Sequence, residues 1–156
     1  MEMNNSELIA APREKVWAAL NDPEILKQSI PGCESLEMET PTDMKATVKV
    51  KIGPVKATFD GEVELSDLKP PESYRISGSG KGGVAGFASG HADVRLEEVP
   101  EGTMLHYGVK ADVGGKLAQL GSRLIDSTAK KLAGQFFSNF SGIVGPTPES
   151  EEGESA

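Results

Sequence analysis

The residues of this chain with chemical potential are few, and their spacing argues against most of the chemistry they could perform. Gly78-Ser79-Gly80-Lys81-Gly82-Gly83 matches the Gly-x-Gly-x-x-Gly string that cradles a pyrophosphate in dinucleotide-binding proteins. That string works only where a helix follows and turns its N-terminus to the phosphates. Here the chain continues as Gly86-Phe87-Ala88-Ser89-Gly90-His91, which alternates like a strand, so a flexible turn or strand bend is the better reading. Lys81 also lacks the spacing of a Walker lysine and the Ser or Thr that should follow it. His91 and His106 fall on positions expected to face solvent, and neither has a His, Cys or carboxylate at metal-ligand spacing. Cys33 has no evident base beside it and is expected to act as a small apolar residue near a pocket mouth. The carboxylates of the strands sit at outward positions beside Lys45, Lys49, Lys51 and Lys56. Acid–base catalysis needs an inward titratable group, and the alternation supplies almost none. The expectation is no catalytic residue and no metal site.

The elements that would position a binding site are clearer. From Leu117 to Ile143, apolar residues recur in steps of three or four: Leu117, Leu120, Leu124, Thr128, Leu132, Phe136, Phe140 and Ile143. This predicts one long amphipathic helix of about 40 Å. No second long helix is available to cover its apolar face, so it must lie on a sheet. Phe137 lies off this stripe and could reach a partner or membrane surface, whereas Trp17 reads as a core anchor.

The preceding segments supply the sheet. Asn4 to Ala10 reads as a first strand, followed by two short helices, the first opening at Pro12 and the second at Asn21-Asp22-Pro23-Glu24. In 44–52 the even positions are apolar; across Gly53-Pro54 the parity flips, and Val55, Ala57, Phe59, Gly61, Val63 and Leu65 become the apolar set. A two-residue turn pairing Ile52 with Val55, Val50 with Ala57 and Val48 with Phe59 keeps both sets on one face. Strands are also expected over 74–78, 84–96 and 103–113. Alternation with one wet face indicates an antiparallel sheet. The fold class is therefore α+β: a bent antiparallel sheet of about seven strands around a long C-terminal helix, with two short helices after the first strand.

With 156 residues the chain is long enough for one domain with a real core, expected over 1–144. The segment 145–156 carries four Glu and no apolar anchor and reads as a disordered acidic tail. A net charge of −8 with no concentrated basic run argues against nucleic acid. No apolar run reaches the length of a membrane span and no signal pattern opens the chain, so a soluble cytoplasmic location is expected.

Small residues concentrate where the helix must cross the sheet: Gly86, Ala88, Gly90 and Ala92 on one strand, and Ala118, Gly121, Ser122, Ser127, Ala129, Ala133 and Gly134 on the helix. They either let backbones approach or leave a void. With only 5% aromatic residues to fill a concave sheet, the void is preferred, and an aliphatic lining would take an apolar ligand. The expected ligand contacts are Leu26, Ile30, Phe59, Ile76, Ala88, Tyr107, Leu120, Leu124 and Thr128, with Tyr107 and Thr128 offering hydrogen bonds to a headgroup.

The order of elements resembles the START-like, helix-grip (SRPBCC) superfamily. Several strings are similar to the carbon monoxide dehydrogenase G-subunit family: Val16-Trp17 with Asp22-Pro23, Ile30-Pro31-Gly32-Cys33, Lys51-Ile52-Gly53-Pro54-Val55, and Gly114-Gly115-Lys116-Leu117-Ala118 continuing to Gly121-Ser122-Arg123-Leu124 and Phe136-Phe137. Together they span about residues 4–144. This resemblance implies a non-catalytic accessory protein of a molybdenum hydroxylase of the carbon monoxide dehydrogenase type. It further implies tethering at the cytoplasmic membrane, a quinone or lipid in the cavity, and no required cofactor. Some relatives carry a longer, membrane-directed tail; the acidic tail here makes a carrier or transient docking role the expectation. Two other functions remain open on the same fold. One is a small-molecule cyclase or hydrolase, with His91 the first suspect if a bulge turned it inward. The other is an assembly factor with a filled core.

Overall fold

The computed structural model describes residues 1–145; the expected acidic tail therefore lies outside the described residues, apart from Gly145. The chain runs β1 (Glu2–Ile9), α1 (Arg13–Leu20), α2 (Pro23–Ser29), β2 (Cys33–Met38), β3 (Asp43–Ile52), β4 (Val55–Lys69), β5 (Ser73–Lys81), a single 3-10 turn (Gly83–Ala85), β6 (Phe87–Val99), β7 (Gly102–Gly114), α3 (Lys116–Gln119) and α4 (Ser122–Val144). The seven strands form one antiparallel sheet in the order β1-β7-β6-β5-β4-β3-β2. Strands β2 to β7 are a simple meander. The first strand closes onto the last, and α1 and α2 carry the chain across to the opposite edge.

The register expected from parity holds at the β3–β4 hairpin. Ile52 pairs with Val55, Val50 with Ala57 and Val48 with Phe59, with Gly53 at φ +58° in the turn. The second short helix starts as its sequence demands: the Asp22 carboxylate accepts a hydrogen bond from the Glu24 amide at 2.9 Å, and Pro23 occupies the first turn.

Three expectations need correction. The sixth strand starts at Phe87 rather than at 84, because Gly86 takes φ +116° and the preceding residues form the 3-10 turn. The long helix is also interrupted: α3 ends at Gln119, Gly121 adopts φ +93°, and α4 begins at Ser122. An L-residue rarely adopts that conformation, so the chain turns there and restarts. Finally, Ile143 is 38% exposed, while Phe137, Phe140 and Val144 are buried. A stripe written in steps of four drifts about 40° per step around a helix of 3.6 residues per turn, so the true buried face takes in Phe137.

The packed core occupies one end of the molecule. Ile9, Val16, Leu20, Leu26, Leu65, Tyr74, Leu96, Leu105, Tyr107, Phe137, Phe140 and Val144 form it, with Trp17 packed edge-on against Tyr74 at 5.4 Å between ring centroids. Two hydrogen bonds tie the helices to this end. Asn139 Nδ2 donates to the carbonyl of buried Ser29 at 3.1 Å, and the buried Thr103 hydroxyl donates to the Ala11 carbonyl at 2.7 Å. The C-terminal half of α4 is thus anchored in the core. From Ser122 to Gly134 none of its residues is buried, although Leu124, Ile125, Ala129, Leu132 and Ala133 are apolar. That half overhangs the sheet instead of sealing it.

Candidate functional site

Beneath the overhang lies a hollow of about 590 Å³. Its walls are Val50, Ile52 and Phe59 from the β3–β4 hairpin and Gly80, Ala88, Ala111 and Val113 from the middle of the sheet. Leu117, Ala118, Ile125, Thr128, Ala129 and Leu132 come from α3 and α4. Ser122 and the exposed Asp112 and Asp126 also border it. A space of this size with an aliphatic lining and few polar groups has the character of a small-molecule site. Val50, Thr128 and Leu132 also border a second recess on the far side of α4, together with Gly53, Leu124, Lys131 and Gln135, so the helix has open space on both flanks.

The register explains why the space exists. Inward positions align across strands as Ala46–Gly61–Gly80–Ala88–Val113 and Met44–Val63–Gly78–Gly90–Ala111. The glycines in these rows have different causes. A Cβ on Gly90 would lie 2.4 Å from the Lys110 carbonyl oxygen, so close strand approach requires glycine there. At Gly80 a Cβ would meet nothing closer than 3.7 Å, at Gly78 nothing closer than 3.5 Å, and neither has a positive φ. Backbone geometry does not demand glycine at these two positions. Of the two, Gly80 borders the hollow, and the side chain it lacks leaves room there.

The nine expected contacts divide into three groups. Phe59, Ala88 and Thr128 line the hollow, and Leu124 with Thr128 lines the recess beside it. Leu120 sits half-buried in the turn between α3 and α4. Leu26 and Tyr107 belong to the packed core, and Ile30 and Ile76 pack against it. The Tyr107 ring lies 5.1 Å from Phe137, and burial, followed by the charge of Glu7, pushes its phenol up from the ordinary range. The sequence reading missed Ile125 and Ala129, one residue after Leu124 and Thr128. The same 40° drift that brings in Phe137 would have pointed to them.

Among the described residues, the titratable side chains at the hollow are the exposed Asp112 and Asp126 at its border, and one further group breaks the parity rule. Glu7 pairs with Leu105 and so takes an inward position, half-buried on the edge strand. His91 pairs with Ser77 and Lys110 in unbroken register, which keeps it on the outer face; no bulge rotates it. Cys33 sits on edge strand β2, its thiol donating to the Ser35 carbonyl at 3.3 Å. Burial pushes that thiol up, against the lowering charge of Lys27. Among the described residues no three His, Cys, Asp or Glu side chains converge as metal ligands.

The outer face carries its own polar trough, larger in volume at about 860 Å³ but lined by Asn4, Ser6, Lys69, Arg75, Asp93, Arg95 and His106. There His106 Nδ1 lies 2.7 Å from Ser6 Oγ, and Nε2 lies 2.9 Å from Glu97 Oε1. The chain of atoms has the order of a Ser-His-acid triad. Acyl transfer by such a triad needs preorganised donors for an oxyanion, and the amides of β1, β6 and β7 around it belong to strand ladders. The group is a cross-strand polar network, as is the two-pronged pair of Arg75 with Asp93 at 2.8 and 3.0 Å. The Arg75 guanidinium holds Asp93 below the usual carboxylate range, and the His106 hydrogen bond does the same for Glu97.

A bent antiparallel sheet gripping a C-terminal helix over an apolar hollow defines the helix-grip, START-like class of protein. Solved structures agree. A conserved protein from Geobacillus kaustophilus is 35% identical with a TM-score of 0.86, over 92% of this chain and 95% of that one. A Thermus thermophilus protein at 18% identity (TM-score 0.68, 92% and 97% coverage) and a Chromobacterium violaceum protein at 16% (0.67, 93% and 98%) share the fold. The family model for the G subunit of carbon monoxide dehydrogenase (CoxG) matches residues 6–145, and the chain belongs to that family. No protein of curated function gives a significant match.

Proposed function

We propose that this protein is a non-catalytic accessory protein of a molybdenum hydroxylase of the carbon monoxide dehydrogenase type. In this reading it carries an apolar molecule, a quinone or lipid, between the inner face of the cytoplasmic membrane and the oxidoreductase. Family membership supports the partner. The observation that carries the ligand is the hollow itself, kept open at Gly80, where the backbone would accept a side chain. Each methylene transferred from water into such a lining contributes about 0.8 kcal/mol, so an isoprenoid or acyl chain would be held without any charged contact. Of the polar side chains at the border, the uncharged Ser122 and Thr128 suit a quinone carbonyl or a lipid ester, while Asp112 and Asp126 are turned to solvent.

Native mass spectrometry of the protein purified from its own host tests this directly. A bound apolar molecule, displaced on extraction with organic solvent, is the expected result. Repeated preparations at the bare polypeptide mass, together with no uptake of a quinone or lipid from membrane extract, would favour an assembly role instead.

A further inference from the structure

Three connections lie side by side at the end of the sheet where the hollow is found: the β3–β4 turn, the β5–β6 connection and the β7–α4 connection. The 3-10 turn in the middle one holds Val84 with 86% of its surface exposed, the most exposed large apolar side chain among the described residues, and Phe87 follows at 54%. The Phe87 ring lies over Gly114 with its other side bare, whereas nothing in the fold accounts for the exposure of Val84. Gly83 beside them faces open space but Ala85 at the end of the turn is buried, so the turn is seated on the body with Val84 turned outward.

The charges of these connections are one-sided. Residues 51–56, 81–87 and 114–119 contain Lys51, Lys56, Lys81 and Lys116 and not one Asp or Glu, in a chain with net charge −8. Lys51 and Lys56 are direct cross-strand partners, and Lys81 pairs with Phe87. Asp60, opposite Lys81 on β4, accepts instead from the Thr47 hydroxyl at 3.2 Å. All four lysines are exposed, and among the described residues none makes an ion pair. Two like charges placed opposite each other cost stability in a hairpin, which leaves Lys51 and Lys56 without a structural rationale.

We infer that this end is a membrane-docking surface for an anionic phospholipid bilayer, with Val84 and Phe87 entering the headgroup–acyl boundary and the lysines resting on phosphates. Apolar residues projecting within a basic ring match such a surface in both polarity and charge. The overall negative charge repels the rest of the molecule and so orients it with this end down. Ile52, Gly80, Ala88, Val113, Leu117 and Ala118 line the hollow next to these connections, so a ligand leaving the bilayer would meet the lining without crossing bulk water. The surface rests on the carrier reading only for what passes across it.

Co-sedimentation of the full chain with vesicles tests the surface. The vesicles are phosphatidylcholine alone or phosphatidylcholine with phosphatidylglycerol. Wild type should bind the anionic vesicles and not the neutral ones. Lys51→Gln/Lys56→Gln should weaken that binding about 25-fold, about fivefold per lysine. Val84→Asp should abolish it, and Val84→Trp should show a blue-shifted emission component on vesicle addition. Equal binding of wild type and Val84→Asp, or no binding of wild type to either vesicle, overturns the inference. Fluorescence titration with cis-parinaric acid in the absence of vesicles separates it from the carrier reading. Docking without parinarate uptake defeats the carrier and leaves the surface standing; uptake without docking does the reverse.

Discussion

Gly80→Leu distinguishes an open hollow from a filled interior in one substitution. Gly80 lies on extended backbone, and its added Cβ would meet Asp60, Gly61 and Phe59 atoms at 3.7–3.8 Å, ordinary contact distances. The leucine brings four carbons into the space between Ala88 and Phe59. Full burial would be worth about 3 kcal/mol, and about half of that is realistic at a site as open as this one. Replacing glycine also lowers the entropy of the unfolded chain, adding roughly 0.5 kcal/mol. The variant should therefore be about 2 kcal/mol more stable, a rise in Tm of about 5 °C for a domain of this size. In a close-packed interior the same change would overpack and cost about 1–3 kcal/mol, lowering Tm by a similar amount. Ligand binding should move the opposite way. Four methylene equivalents of lost space weaken an apolar ligand by up to about 3 kcal/mol, roughly a hundredfold. The assays are a thermal melt followed by circular dichroism and a cis-parinaric acid titration. A Tm several degrees below wild type would refute the open hollow, and a raised Tm with unchanged affinity would place the ligand elsewhere.

Three further outcomes follow from the anchored half and the outer face. Phe140, fully buried among the helices and stacked 5.7 Å from Phe136, should cost about 3–5 kcal/mol when changed to Ala, seen as a large drop in the urea midpoint. Burial pushes the Tyr74 phenol well above its ordinary value, so the neutral form stabilises the fold up to the unfolded value of about 10 and that contribution is lost as pH rises beyond it. Tyr74→Phe should consequently gain on wild type in chemical denaturation at pH 11 relative to pH 8. Asp93 shows the converse sign: Arg75 lowers its folded pKa, so its contribution is present above the ordinary carboxylate value and is lost as pH falls through the folded one. The Tm difference between wild type and Asp93→Asn should be small at pH 7, as for exposed pairs generally, and should shrink as the pH falls below the ordinary carboxylate value.

What the sequence determined by itself were the features governed by local periodicity. A repeat of two fixes which face of a strand is apolar, so the parity flip at Gly53-Pro54 specified a register and not merely a hairpin. The outward placement of His91 and His106 followed from the same rule. The kink at Gly121 lay beyond that rule, since glycine permits a left-handed backbone without requiring it, and only the packing of α3 near the sheet end selects it. The helix face, written in steps of four, was right for Leu124, Thr128 and Phe140 and drifted past Ile125, Ala129 and Phe137. Tertiary structure alone decided which inward residues meet a cavity and which meet the core. Tyr107 obeys the same strand parity as Phe59 and Ala88, and Leu26 on α2 is as apolar as they are, yet α4 is drawn down onto the first pair by Phe137 and Phe140 and held away from Phe59 and Ala88. That difference comes from where one helix rests along its length, a quantity set by many contacts at once and written in no single stretch of the chain.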